Sequence, residues 1–187
     1  FLYWVVFPVT AAGESDGRAS NMIPVGQPDG CPFNESFANT ALSHPMAFSG
    51  DDEVSWSLYG DSDLDDVASK DGDNGFAMMY SNQLGSSASL ITAKIKISET
   101  TPAAVFYTYN IATDDNNQIE VSVINGNQTE VVSTVVVNKT GPAGMWNRVV
   151  VPLTQYAGKT VQLSLRGIIN SYVFILVDDV FIGDILA

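Results

Sequence analysis

Apolar and polar residues alternate with a period of two through most of this chain. Ile91, Ala93, Ile95 and Ile97 alternate with Lys94 and Lys96. Val105, Tyr107, Tyr109 and Ile111 alternate with Thr108 and Asn110, and Ile119, Val121 and Val123 with Gln118, Glu120 and Ser122. Val161, Leu163 and Leu165 form a further set of the same kind. Successive side chains of a strand point to opposite faces, so each set reads as a strand with one face turned to a core. Helical periodicity is hard to find. Asn125-Gly126 is a hairpin signal leading into a strand over 130–137, and the stretch 141–144 is a second turn before a strand over 145–153. Many short strands with turns between them predict an all-β fold, an antiparallel two-sheet β-sandwich of jelly-roll type.

The most apolar run lies near the C-terminus, from Tyr172 to Ile182, and two adjacent aspartates, Asp178 and Asp179, sit inside it. A β-branched and aromatic run of this length is a strand buried on both faces. At least one of the two carboxylates must then point into or against apolar packing. A buried carboxylate without compensation is very costly. Three things could compensate it: a bound cation, a fan of backbone N–H donors, or a basic partner.

Charge and composition exclude several classes. With 8 Lys+Arg against 21 Asp+Glu the net charge is −13. Such a surface repels nucleic acid and anionic membranes and favours cations. No segment is long and apolar enough to insert in a bilayer. Cys31 is the single cysteine, so no internal disulfide forms, and His44 is the single histidine, so a multi-histidine zinc site has no ligands. His44 itself reads as an exposed loop residue. A glycosidase would need a placed pair of carboxylates, and no spacing singles out a pair such as Asp63 and Asp73. The chain is therefore read as not an enzyme.

The first 27 residues differ from the rest. Tyr3 and Val5 lie in an apolar strand, Ala12-Gly13-Glu14-Ser15 makes a turn, and Ser20-Asn21 lies in a short strand before a linker. Two strands cannot bury a core of their own. The pattern resembles the last two strands of a fibronectin type III module. That resemblance implies a division into residues 1–27, the tail of such a module plus linker, and residues 28–187, the main domain. It also implies a chain cut from a longer multidomain protein. The apolar strand at the start is expected to pack on the main sandwich or on a second copy, a contact through the hairpin or an edge strand of a dimer.

From Cys31 onward the motifs follow one order. Phe33, Glu35 and Phe37 lie on a short strand with a central acid, and Trp56 and Tyr59 precede an acidic loop from Asp61 to Asp73. Trp146 comes later, then Tyr156-Ala157-Gly158-Lys159, then the run ending in Asp178-Asp179-Val180. This order resembles the MAM-like jelly roll of bacterial surface proteins, close to the cleaved-adhesin modules of secreted peptidase–adhesins. The resemblance implies a structural calcium held by Glu35, Asp73 and one of Asp178 or Asp179, and hard oxygen ligands suit that ion. Only Cys31 remains of the cysteines that animal MAM domains carry. The acidic loop is not an EF-hand, because the twelfth position from Asp71 is Asn82 where a bidentate Glu is needed. It reads most simply as a solvated loop.

Trp146, Tyr156 and Gly158 read as core and turn residues. Tyr107 and Tyr109 share a strand face with Val105 and Ile111, which places them in the core. Trp56 and Tyr59, beside the acidic loop, are the candidate ligand-binding aromatics. The function implied is a non-catalytic adhesion module of a larger secreted or cell-surface bacterial protein, extracellular, recognising a glycan or a host protein. The alternative is a structural spacer beside a peptidase or glycosidase.

Overall fold

The computed structural model describes residues 9–10, 13–14, 31–50, 54–64, 66–111, 116–171 and 174–185. In chain order the strands are β1 (Val9–Thr10), β2 (Gly13–Glu14), β3 (Phe33–Glu35), β4 (Met46–Ser49), β5 (Trp56–Tyr59), β6 (Phe76–Met79) and β7 (Ser87–Thr92). They continue as β8 (Ile95–Lys96), β9 (Pro102–Asn110), β10 (Gln118–Asn125), β11 (Gln128–Val136), β12 (Met145–Pro152), β13 (Thr160–Ile168) and β14 (Ile175–Asp184). Three 3₁₀ turns, at Ala38–Thr40, Val137–Lys139 and Thr154–Tyr156, are the helical elements among the described residues. Strands β1 and β2 pair with each other. The rest of the stretch read as a fibronectin-like tail lies outside the described residues, as does the contact expected of its apolar strand.

Two antiparallel sheets face each other. One runs β11-β10-β13-β7-β4, with β8 also on β13; the other runs β12-β9-β14-β6-β5, with β3 also on β14. The core lies between them. Ile119, Val121, Val123, Leu163, Leu165 and Leu90 come from the first sheet, and Ala104, Phe106, Val177, Val180, Ile182, Met79 and Trp56 from the second. The alternation read at Ile119–Val123 and Val161–Leu165 thus becomes the in–out pattern of an all-β sandwich, while in β9 it is Ala104 and Phe106, not Val105 and Tyr107, that face the core. The β10–β11 hairpin closes one residue later than the sequence reading, with Asn125 paired to Gln128 and Gly126 first in the two-residue loop. Gly126 has φ +61°, the backbone a primed hairpin turn demands there.

Strand β14 is the central organiser of the second sheet. Its first part, Ile175–Val177, pairs with β6, and its second part, Val180–Ile182, pairs with β3. On the other side β9 pairs with it from Val177 to Asp184, with a register shift between Asp178 and Phe181. Asp179 and Val180 of β14 there oppose the single residue Phe106 of β9, which is a β-bulge. Asp179 takes the left-handed backbone, φ +48°. The extra residue resets the strand's phase. In an unbulged strand residue 179 would share the core face with Val177; here Val180 takes that place. The paired aspartates are therefore a device for changing neighbours in mid-strand without putting a carboxylate into the main core.

Candidate functional site

The outer face of the second sheet is built in two halves, and the loop of residues 60–75 covers one of them. Leu64 and Val67 pack over Phe76, Met78 and Leu176, with Tyr59, Tyr109, Trp146 and Phe174 around them. The loop's acids fold it. Asp63 Oδ2 accepts the Gly60 N–H at 2.7 Å, Asp61 Oδ1 accepts that of Ser69 at 2.6 Å, and Asn74 Oδ1 accepts that of Asp61 at 2.9 Å. The Trp146 indole N–H donates to the Ala68 carbonyl at 2.8 Å. This corrects the reading of a solvated loop: two apolar residues among the acids give it a small core of its own. It also moves Trp146 out of the sandwich interior and onto this outer face.

The loop ends on the bulge. Asp178 is fully buried; its Oδ2 accepts the Lys70 N–H at 2.8 Å and its Oδ1 the Asp179 N–H at 2.8 Å. Burial pushes the Asp178 carboxyl up to about 7, the two N–H bonds oppose this, and the charges of Asp179 and Asp73 add to it. Lys70 Nζ lies 2.6 Å from Asp179 Oδ2 and 4.5 Å from the centre of the Tyr107 ring. The Asp179 bond raises the Lys70 ammonium above its ordinary value. Burial also raises Asp73, a Ser36 bond opposes this, and Asp71 and Asp179 push the same way as burial. Oδ1 of Asp73 is buried and has no hydrogen-bond partner.

The four residues expected to hold calcium are thus divided by the structure. Asp73, Asp178 and Asp179 are electrostatic neighbours. Glu35 is buried and has both oxygens engaged, Oε1 with the Phe37 N–H at 3.0 Å and Oε2 with the His44 N–H at 2.8 Å. Among the described residues no three carboxylate, thiol or imidazole groups are arranged to hold a metal. Asp178 likewise has both oxygens taken by backbone N–H donors, and the Asp73 Oδ1 is the carboxylate oxygen of this group that is buried without a hydrogen bond. Glu35 instead fixes the turn after β3. His44 is half-buried beside it, 4.7 Å from the Phe33 ring, not a free loop residue.

The uncovered half of the outer face forms a groove of about 550 Å³ lined by Asn34, Tyr107, Arg148, Asp179 and Phe181 among others. A second groove of about 470 Å³ continues it past Phe181 and Asp184 toward Cys31, Pro32 and Lys96. Asp184 is held in place by the Ser98 hydroxyl at 2.6 Å and the Thr101 N–H at 2.9 Å, and the Ser98 bond keeps its carboxyl below the usual range.

Neither aromatic singled out from the sequence lines these grooves. Trp56 is 2% exposed, and its indole N–H donates to the Ala88 carbonyl of the opposite sheet at 3.0 Å. A ligand has no access to it, so its assignment as a binding residue is corrected. Tyr59 stacks at 6.5 Å on Phe76 beneath the loop. Tyr107 and Tyr109, read as core, lie instead on the outer face, because their strand has packed layers on both sides: the main core beneath and the loop above. Arg148 and Phe181 were missed. A signal existed for Phe181, since Phe181-x-Gly183 puts a large ring beside a gap on one strand face.

No family model matches the chain, and no curated protein matches it by sequence. Solved structures do match the fold. The K1 cleaved adhesin domain of Lys-gingipain from Porphyromonas gingivalis W83 superposes with a TM-score of 0.63 at 17% identity, over 83% of this chain and 99% of that domain. The K2 domain of the same protein gives 0.60 at 18% identity, over 81% and 97%. Module CBM27-1 of Caldicellulosiruptor saccharolyticus, solved with mannohexaose, gives 0.57 at 11% identity, over 83% and 98%. TmCBM61, solved with β-1,4-galactotriose, gives 0.57 at 13% identity, over 79% and 93%. The similarity to cleaved-adhesin domains expected from the sequence is thus found at the level of the fold.

Proposed function

We propose that this chain is a non-catalytic binding module of a larger secreted or cell-surface bacterial protein, and that its ligand is a glycan. The observation that carries this is the groove on the uncovered half of the second sheet. It sets the aromatic residues Tyr107 and Phe181 beside polar groups of both hydrogen-bonding senses, Asn34, Arg148 and Asp179. A concave site with apolar surface and a few fixed polar groups is what a sugar needs: ring faces to stack and hydroxyls to bind. The fold shared with modules solved with mannohexaose and galactotriose supports the reading by analogy. A non-catalytic role is favoured by the state of the groove's acids. Asp179 is paired with Lys70, and Asp184 with Ser98 and Thr101.

A glycan array followed by calorimetry tests the proposal. Binding that falls by about tenfold in Arg148→Ala, with no hydrolysis of the bound glycan, is the expected result. Failure to bind any glycan would favour the alternatives, a host-protein ligand or a spacer beside an enzyme.

A structural calcium remains part of the proposed function. What supports it is the partnerless Asp73 oxygen among the neighbouring acids Asp71, Asp178 and Asp179. Bound there, the ion would neutralise these acids and tie the loop to β14. A melting temperature that rises with calcium and falls with chelator is expected, and indifference to both would remove the ion from the proposal.

A further inference from the structure

The two grooves meet at two neighbouring side chains. Phe181 lines both, and Asp184 beside it does so too. Two residues along the same strand face is Gly183. A Cβ at that position would stand 2.7 Å from Phe181 Cζ and 3.2 Å from its Cε1. Real side chains do not approach so closely, so the ring occupies the space a side chain at 183 would need. Phe181 therefore leans along the strand over the glycine, with the Pro32 Cβ 3.2 Å from the same point. Any larger residue at 183 would push the ring up off the sheet.

The other aromatic rings of this face are already engaged. Lys70 Nζ covers Tyr107, and Tyr109 and Trp146 pack against each other at 5.4 Å in the cluster under the loop. Of the two aromatic residues in the larger groove, Phe181 is the one with no cation over its ring among the described residues. Charge narrows the ligand further. Asp71, Asp179, Asp184 and Glu99 line the joined grooves against two cations, Arg148 and Lys96, in a chain of net charge −13. Such a surface repels uronates and sulfated sugars.

Resting on the reading of this face as a glycan site, we propose that Phe181, laid over Gly183, is the stacking platform of one continuous groove. The groove takes an unbranched, neutral oligosaccharide that crosses Phe181 with sugar units on both sides, from the Tyr107–Arg148 end to the Cys31–Lys96 end. Each groove alone falls in the range of about 300–1,000 Å³ that holds a small ligand, so the joined grooves hold several units.

The test uses the full chain and cello-, xylo- and manno-oligosaccharides from disaccharide to hexasaccharide, with affinities by calorimetry. For the series that binds, affinity should rise by about tenfold or more between the disaccharide and the longer members. Phe181→Leu, which keeps apolar bulk but removes the aromatic face, should lower it by about tenfold. Gly183→Ala should do the same by lifting the ring, with melting temperature reporting that the fold is kept. Lys96→Ala should weaken the hexasaccharide more than the disaccharide. Binding that is lost in Arg148→Ala but unaffected by Phe181→Leu and Gly183→Ala, or that does not depend on length, would overturn the inference and leave the glycan reading standing. Absence of binding to every sugar in these series and on the array would overturn both.

Discussion

The backbone N–H of Lys70 donates to Asp178 Oδ2 at 2.8 Å across 108 positions of sequence, joining the loop before β6 to the bulge in β14. The other oxygen of Asp178 takes the Asp179 N–H, so one buried carboxylate satisfies two backbone donors. Asp178→Ala would leave both part-buried donors without this acceptor. Each such bond contributes about 0.5–1.5 kcal/mol, so the variant should be destabilised by about 1–3 kcal/mol in urea unfolding. Asp178→Asn keeps one acceptor oxygen and should cost clearly less.

The same carboxyl makes stability depend on pH. Its folded value of about 7 lies above its ordinary 3.8. Between these two values the folded chain holds a proton that the unfolded chain releases. Stability from this group is therefore greatest below about pH 4, declines as pH rises, and levels off above about pH 7. The full span of the decline is about 4 kcal/mol at most. Asp73 is shifted in the same direction and steepens the trend. Denaturant unfolding in chelator, at pH 4.5 and 7.5, should show the decline in the native chain and a much weaker one in Asp178→Asn. Calcium in excess should flatten it in the native chain, because a bound cation favours the charged carboxylate.

Trp146 holds the loop through its indole N–H to Ala68 and its packing beside Phe76, 6.0 Å between ring centres. Trp146→Phe keeps a ring but drops the bond. A loss of about 1 kcal/mol is expected, with faster amide exchange concentrated at residues 64–70 rather than spread through the sandwich. Uniformly faster exchange would mean that the tryptophan supports the whole fold and not the loop in particular.

How far the sequence was legible follows from which interactions are local. Period-two alternation is set by neighbours along one strand, so β10 and β13 could be read directly, whereas the set from Ile91 to Ile97 falls across the break between β7 and β8, and β9 was read with its faces exchanged. Gly158 has φ +72° and Tyr156 is buried, as their place in a turn implied. The bulge at Asp178-Asp179 was legible as an anomaly, and two of its three possible compensations are present: backbone donors on Asp178 and an ammonium on Asp179. What could not be read was which sheet face receives a loop. Tyr107 and Tyr109 alternate like core residues because one lies under Lys70 and the other under Trp146 and the loop. Their burial depends on a chain segment some 40 residues away in sequence. The groove was hidden for the same reason, since it is simply the part of the face that the loop leaves open.

Trp56 separates the role of the core from that of the groove. Its side chain lies between the sheets, and its N–H bridges them by bonding to Ala88 on β7. Gly167 faces it across the core, where an added Cβ would stand 3.0 Å from Trp56 Cζ2 and 2.5 Å from Met79 Sδ. The indole thus fills a site with no slack. Trp56→Phe leaves the Ala88 carbonyl without this donor and opens a small cavity, and should cost about 1–3 kcal/mol in denaturant unfolding. Gly167→Ala overfills the same site and should cost a comparable amount. Neither residue lines the grooves, so under conditions where both variants stay folded their affinity for any bound oligosaccharide should equal that of the native chain. A selective loss of binding in Trp56→Phe, without loss of stability, would return this residue to the ligand site.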